Sequence, residues 1–446
     1  MFGTSGVRGP VGEAVTGDLA LDVGRAVGSG ADEVLVGRDA RRSGEFLSAA
    51  VTAGLAECGA DAVDCGRVAT PTLARAVRRR GADAGVMVTA SHNPPADNGL
   101  KLWTAAGRAF GTDRRERVTE RVESGRFDAA AWDGTGRRVA ATEPTERHRR
   151  ALVAAGRERA ADGADGADPL DGLSVVVDVG NGVGGVTADA LVDLGAEVET
   201  LNANPDGRFP GRPSEPTAET CGSLCDAVAR GADLGIAHDG DADRTMAVDE
   251  RGRFVPGDAL LATFALDATD PGGTVVAPVN ASLAVEDALA ARDVSLERTP
   301  VGDVHVAERA AAVGAAFGGE PSGAWLWPDE VPCPDGPLAA VVLAALVARE
   351  GPLAEAVDDF DAYPIRRESV ETGRKDAVMG AVADLAAEEY GDVDRTDGVR
   401  VAVEDGWFLV RASGTQPLVR LTAEARSERR AHELLATARD LVERAA

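Results

Sequence analysis

Short apolar runs alternate along the chain with stretches whose apolar residues recur at helical spacing, the pattern of strands followed by amphipathic helices in α/β domains. EVLVG (Glu33–Gly37), ADAVDCG (Ala60–Gly66) and AGVMVTA (Ala84–Ala90) predict strands. Between the first two, SGEFLSAAVTAGLAECG predicts a helix with Ser43 as N-cap and a glycine at its end. The Gly/Asp-rich ADGADGADPLDG (Ala161–Gly172) reads as a solvated loop before the strand SVVVDVGNG. A further strand runs into DLGIAHDGDADR, and TMAVDERGRFV reads as a hairpin pair around Glu250–Gly252. A third unit begins near Phe254 and continues through GDALLATFALDA and GTVVAPV to AAFGGEPSG. From about Tyr363 the pattern changes to a helix, then paired strands in VRVAVEDGWFLVRASGTQPLVRLTAEA, then a closing helix, a small α+β domain. Each of the first three units ends a strand in an unusual polar loop: TASHNP, HDGDAD and GGEPSG. Ligands of open α/β sheets collect at the carboxyl ends of strands, so the three loops predict one cleft shared by several domains.

Composition changes this picture in three respects. With 446 residues the chain exceeds one ordinary core, and size alone suggests about three domains. No apolar run reaches the roughly 18–20 residues of a bilayer span, and MFGTSGVRG has neither the basic nor the apolar part of a signal peptide. A cytoplasmic protein with no membrane partner is expected. The formal charge is −27, which repels nucleic acid, and the only lysines are Lys101 and Lys375. So little lysine among so many Asp, Glu and Arg fits a high-salt cytoplasm, where screening weakens self-repulsion; a GC-rich genome and a merely acidic protein is the other reading. Cys58, Cys65, Cys221, Cys225 and Cys333 are odd in number and scattered, as expected of free thiols.

Four loops carry chemistry. In DGDADR, Asp239, Asp241 and Asp243 alternate, and on an extended segment they would point one way onto a hard cation. The all-oxygen donor set favours Mg2+ over zinc. A calcium loop would need Glu250 at its twelfth position, inside the strand turn. RASGTQPLVR combines a glycine turn, the hydroxyls of Ser413 and Thr415, and Arg411 and Arg420, a set suited to a dianionic phosphate. Glu320 and Ser322 in GGEPSG can bind sugar hydroxyls. In VMVTASHNPPADNGLK, Ser91 lacks the glycine elbow of an acyl-transfer nucleophile, while Asn93 and Pro94 form a turn. Lys101, in a chain that almost always uses arginine, is a group whose pKa can be tuned; with Ser91, the Mg2+ loop and the phosphate loop it describes phosphoryl transfer better than acyl transfer.

In this order, FGTSGVRG, TASHNP with the later NG-x-K, DGDADR, GEPSG and RASGT-x-P-x-x-R resemble the α-D-phosphohexomutase family, from Phe2 to Arg420 and the closing helix. The resemblance implies four domains around a central cleft: three related α/β domains with mixed sheets and a smaller C-terminal α+β domain. They would span 1–145 with the phosphoserine loop, 146–252 with the Mg-binding loop, 253–362 with the sugar loop and 363–446 with the phosphate loop. It implies that Ser91 is carried as phosphoserine, with Asp239, Asp241, Asp243 and an oxygen on Ser91 holding Mg2+. Lys101, aided by His92, would be the general acid/base, and Arg8 and Arg244 would contact phosphoryl oxygens. Gly302, Asp303, Glu320 and Ser322 would meet the sugar, and Arg411, Ser413, Gly414, Thr415 and Arg420 the phosphate that does not react. A hexose phosphate would be the substrate, with a hexose 1,6-bisphosphate as intermediate and activator; monomer and homodimer both remain open.

Three departures bear on the sugar or the phosphate grip. Gln416 replaces a common Glu, Ala324 and Trp325 stand where a His often follows GEPSG, and Val304 and His305 follow the VGD turn without the usual basic residue. FGTSGVRG and TPVGD look most like the phosphoglucosamine mutase branch, with phosphomannomutase/phosphoglucomutase as the alternative. A non-catalytic sugar-phosphate binder would not need Ser91, the aspartates and Lys101, and a kinase would need a G-x-x-x-x-G-K-[ST] loop.

Overall fold

A computed structural model describes residues 2–3, 6–160, 168–358, 360, 362–391, 393–413 and 418–446. These residues form four sheets. In the first, β1 (Val7–Pro10), β2 (Glu33–Arg38), β3 (Asp61–Arg67), β4 (Ala84–Val88), β5 (Asp97–Thr104) and β6 (Arg138–Ala140) lie in the order β1-β5-β4-β2-β3-β6. Here β5 runs antiparallel to both neighbours and the other pairs are parallel. The second sheet is β10-β9-β7-β8, from β7 (Ser174–Asp178), β8 (Glu197–Leu201), β9 (Leu234–His238) and β10 (Thr245–Asp249). The third is β12-β11-β13-β14, from β11 (Thr274–Pro278), β12 (Ser295–Thr299), β13 (Phe317–Glu320) and β14 (Ala324–Leu326). Both are parallel except for one antiparallel edge strand, β10 and β14. The fourth, β15 (Ile365–Glu371), β16 (Val399–Val403), β17 (Gly406–Ala412) and β18 (Leu418–Ala425) in the order β15-β18-β17-β16, is wholly antiparallel. Three mixed α/β sheets and a C-terminal α+β unit are the expected fold class.

Central strands such as β4 and β9 are buried along their whole length, as parallel strands covered on both faces must be, so they read as unbroken apolar runs. Helix Gly336–Glu350 is apolar around most of its circumference and buried from Gly336 to Val347. It packs on helices Pro144–Arg159 and Val186–Asp193, so one hydrophobic core runs from Val175 and Val177 of the second sheet to Phe264, Phe317 and Trp325 of the third unit. The fourth unit has its own core, with Val401, Phe408 and Leu421 packed on Leu434 and Leu441 of helix Glu428–Ala445. It meets the third through Trp407 and Leu409 against Val279, and through buried Glu424. The Glu424 carboxylate accepts from Ser282 Oγ (2.5 Å), Leu283 N (2.8 Å) and Trp407 Nε1 (2.6 Å), capping helix Leu283–Ala290.

Three local expectations are corrected. Helix Gly44–Glu57 starts after Ser43, but Ser43 has a helical backbone and does not cap it; its Oγ accepts from Asn98 Nδ2 instead (2.9 Å). The stretch after Thr245 does turn back around Glu250–Gly252, but its return arm is shorter than a strand: Asp249 N and Val255 N donate to Arg253 O and Ala247 O (both 2.9 Å) around one Val248–Phe254 bridge, while β10 pairs along its length with β9. The C-terminal unit opens with β15, whose alternating half-exposed pattern is weak because it is an edge strand, before its helix Lys375–Tyr390. All five cysteines are free, and among the described residues no helix is long and apolar enough to cross a membrane.

Candidate active site

Ser91 lies three residues past the end of β4, buried, with φ at 52°, the left-handed region a non-glycine residue enters only when its surroundings hold it there. Arg41 does much of that holding. It is fully buried over the Phe209 ring, its Nε donates to Asp39 (3.0 Å), and its Nη2 donates to the carbonyls of Ser91 (2.7 Å) and Asn93 (2.6 Å). Its Nη1 donates to those of Pro94 (2.6 Å) and Asp97 (2.9 Å), so one planar guanidinium gathers the whole turn. Thr89 completes the frame, its Oγ1 accepting from Ser91 N (2.8 Å) and donating to Asp39 (2.7 Å).

The aspartate loop follows β9, and it is a turn rather than an extended segment: Ala242 adopts φ of 55°. That turn, not strand alternation, brings the three carboxylates within 4.8 Å of one another, all buried. Ser214 ties this loop to the first, its Oγ donating to the Ser91 carbonyl (2.9 Å) and accepting from Gly240 N (3.0 Å). A Cβ at Gly240 would lie 2.9 Å from that same carbonyl, so the approach requires glycine. The Ser91 hydroxyl consequently sits 2.5 Å from Asp239 Oδ2 and 3.5 Å from Asp243 Oδ1.

Charge in this buried cluster is only partly balanced by protein groups. Lys101, from β5, pairs with Asp243 and, at 3.5 Å, with Asp241. Burial pushes the Lys101 ammonium down, but Asp241 and Asp243 outweigh it and the net shift is upward. Burial also raises Asp241, yet Lys101 and the Thr70 hydroxyl, 2.5 Å away, leave it lowered. Asp239 is held well above the usual carboxylate range by burial and by Asp243 and Asp241. Asp241 Oδ1 is buried with no hydrogen-bond partner. Three converging carboxylates, one strongly repelled and one with an orphaned oxygen, fit a divalent cation with oxygen ligands.

His92 Nδ1 is 3.3 Å from the Ser91 hydroxyl, and burial, with the cations Arg244, Arg8 and Lys101, pushes its pKa down to about 2. It is therefore neutral at ordinary pH. Arg8, on β1 opposite Gly99, has a buried Nε without a partner, and its charge is felt by His92, Lys101 and Asp241. An unpaired guanidinium beside the serine suits a phosphoryl group.

The third loop places Glu320 at the end of β13, with Oε1 accepting from Gly302 N (2.8 Å) and Ser322 Oγ 3.4 Å from Oε2. Burial, then Asp303, raises Glu320 to about 7. Val301 N, next to Gly302, donates to Asp397 (3.0 Å), which pairs with Arg411 (2.9 Å). A hydrogen-bonded chain thus runs from the Glu320 loop to the fourth unit. There Arg411 and Arg420 face each other across β17 and β18, and Ser413 is buried. Gly414, Thr415 and Gln416 lie outside the described residues. Lys375 donates to the Ser413 carbonyl (2.7 Å), so each of the two lysines touches a functional loop.

Ser91, His92, Lys101, Arg8, the three aspartates and Arg244 share one centre, and Gly302 and Asp303, after β12, meet Glu320 and Ser322, at the end of β13. Sequence reasoning missed Arg41, Thr70, Ser214 and Lys375. One signal was available: GRDARRSG follows the apolar run of β2, the strand-end position that marked the other loops.

A four-unit α/β protein with a buried serine, a carboxylate triad and, in Arg8, an unpaired guanidinium at one centre is built to handle a phosphoryl group on a small molecule. Residues 1–129, 160–252 and 256–363 match phosphoglucomutase/phosphomannomutase alpha/beta/alpha domains I, II and III, and 369–441 match the C-terminal domain of the same family. The chain is 46% identical to a probable phosphoglucosamine mutase of Methanopyrus kandleri, over 99% of this chain and 98% of that protein. It is 42% identical to one of Methanothermobacter thermautotrophicus, over 97% and 95%. A crystal structure of a phosphoglucomutase/phosphomannomutase family protein from Burkholderia thailandensis superposes with a TM-score of 0.86 at 27% identity, covering 100% of this chain and 98% of that one. The protein belongs to the phosphoglucomutase/phosphomannomutase family, the α-D-phosphohexomutases.

Proposed function

We propose that the protein is a phosphoglucosamine mutase, interconverting glucosamine 6-phosphate and glucosamine 1-phosphate through a phosphoryl group carried on Ser91. The Ser91 hydroxyl 2.5 Å from Asp239, inside the carboxylate triad, carries this reading. The names of the two archaeal relatives support the sugar. Asp239, Asp241, Asp243 and an oxygen on Ser91 would hold Mg2+, which when bound offsets the charge building on the transferring group. The sugar oxygen forms the new bond to phosphorus as the bond to Ser91 Oγ breaks, and in balance the sugar hydroxyl proton ends on Ser91. Lys101, held protonated by Asp241 and Asp243, supplies the proton on the serine side and is recharged from the sugar hydroxyl. His92, neutral, orients the serine rather than storing the proton.

Arg8 and Arg244 steady the moving phosphoryl group. Gly302, Asp303, Glu320 and Ser322 hold the sugar, and Arg411, Ser413, Gly414, Thr415 and Arg420 grip the resting phosphate. The hexose 1,6-bisphosphate turns over in the cleft and returns its other phosphate to Ser91. We assign these roles to units 1–145, 146–252, 253–362 and 363–446, in a cytoplasm of high salt. A thermal midpoint that falls on adding KCl would refute the salt assignment.

Phosphomannomutase/phosphoglucomutase is the second reading, favoured by Ala324 and Trp325. Both are core residues, Trp325 Nε1 donating to Thr245 O (2.7 Å), so no ionisable side chain follows the Ser322 turn there. Protein primed with glucose 1,6-bisphosphate, assayed in Mg2+ on glucosamine, glucose and mannose phosphates, separates the readings by kcat/KM. Highest kcat/KM on glucosamine phosphate is expected; preference for another sugar selects the second reading, and turnover of none refutes both.

A further inference from the structure

A cavity of about 500 Å3 opens between helices Thr70–Arg80 and Pro144–Arg159, with Glu330 at its edge. It shares no lining residue with the Ser91 loop, the aspartate loop or Glu320. Its volume is that of a small-molecule site. Leu35 and Val63, from the face of the first sheet, line it together with Ala76, Ala141, Pro144 and Ala151. Arginines from both helices surround this apolar lining, with the exposed carboxylate of Glu143 among them.

Most of those arginines are already engaged. Arg75 pairs with Asp335 (2.7 Å), Arg80 with Glu33 (2.7 Å), and Arg78 donates to the Glu330 carbonyl (3.0 Å). Arg79 and Arg147 are exposed and, among the described residues, their side chains make no hydrogen bond or ion pair. A chain with charge −27 has carboxylates in excess for its arginines. Two unpaired guanidiniums, one on each helix beside an apolar-lined cavity, offer free forked donors of the kind phosphate oxygens accept from. Helix-terminal arginines complement a helix dipole, but Arg147 lies in the first turn of its helix, where that account fails.

We propose that this cavity binds a small organic phosphate with a planar apolar body, its phosphates on Arg79 and Arg147 and its ring against Ala76 and Ala151, over the buried floor of Leu35 and Val63. The helix that carries Arg79 begins at Thr70, whose hydroxyl holds Asp241, so the occupant sits one helix length from the aspartate loop.

Isothermal titration of the full chain with ADP tests this, with saturating glucose 1,6-bisphosphate present to fill the catalytic cleft. One ADP per chain is expected to bind despite the bisphosphate. Adenosine and pyrophosphate, each lacking half of the recognition, bind at least about tenfold more weakly. Arg79→Ala/Arg147→Ala weakens ADP binding at least about tenfold, and Ala76→Trp, which fills the cavity, abolishes it. Unchanged mutase turnover in the double variant shows that it is folded, and circular dichroism gives the same control if the protein turns over no sugar phosphate. No saturable ADP binding, displacement by the bisphosphate, or binding untouched in these variants would overturn the proposal.

Discussion

The loop that presents Ser91 and the turn that carries Arg411 and Ser413 both handle phosphate in the proposed reaction, yet they are built differently. The first is locked by buried groups from two units: Arg41, Thr89 and Ser214 hold its backbone, and Lys101 and Thr70 hold the aspartates it faces. The second stands on an antiparallel sheet with its own core and reaches the third unit through Glu424, the Trp407 contact, the Asp397 chain, and Arg426 and Tyr363 on Asp287. Rigidity is concentrated where bonds change, because preorganised dipoles and charges act there without reorganising. Among the described residues the fourth unit is attached by contacts at its edge with the third rather than by a shared core, an arrangement that lets a unit with its own core shift as a body around a substrate.

The largest effect expected to break this contrast is at the serine. Ser91→Ala should lower turnover by at least about a thousandfold, since no other group can carry the phosphoryl. Mass spectrometry should show the phosphoryl adduct in the parent protein and not in the variant; wild-type turnover would remove Ser91 from the mechanism. Next, Arg41→Met strands the Asp39 charge and frees the Ser91 turn. A loss of about 3–5 kcal/mol in stability is expected, and where the variant is still folded kcat should fall far more than KM rises. Arg41→Lys, which keeps the charge but not the fork, should recover stability more than kcat; equal recovery of both would make Arg41 merely structural.

In the second region the balance should reverse. Glu424→Gln weakens the cap on helix Leu283–Ala290 and the docking of the fourth unit, so KM should rise about tenfold with little change in kcat. A fall in kcat alone would show that the fourth unit enters the chemistry. The smallest effect concerns pH. Glu320 is raised to about 7, so it is protonated below that pH and ionised above it, and only the ionised form accepts from two sugar hydroxyls. KM should therefore rise as pH falls through about 7, and Glu320→Gln should remove that limb; an unchanged limb in the variant would assign it to another group, such as the substrate phosphate.

Much of this was legible in the residue order. Loops rich in Ser, Asp and Gly after apolar strands could be read because strand ends are where open sheets bind ligands, and Lys101 stood out because lysine is so scarce. Arg41 could not stand out the same way. In a chain where arginine is nearly the only cation, its importance lies in four carbonyls fifty or more positions away. Lys375 was as rare as Lys101, but its acceptor is a backbone carbonyl, which leaves no mark on the sequence. The edge strand β15 was invisible because half its residues face solvent and its pairing partner, β18, is distant in the chain.

The sequence by itself determined the succession of strands and helices, the four chemical loops and their order, because periodicity and residue type are local properties. Tertiary structure decided which charges meet. It made the aspartate loop a turn, set Lys101 between two carboxylates of another unit, left His92 neutral and merged the second and third cores through one helix. The direction of a pKa shift depends on burial and on neighbours a few ångströms away, and those neighbours are chosen by folding rather than by proximity along the chain.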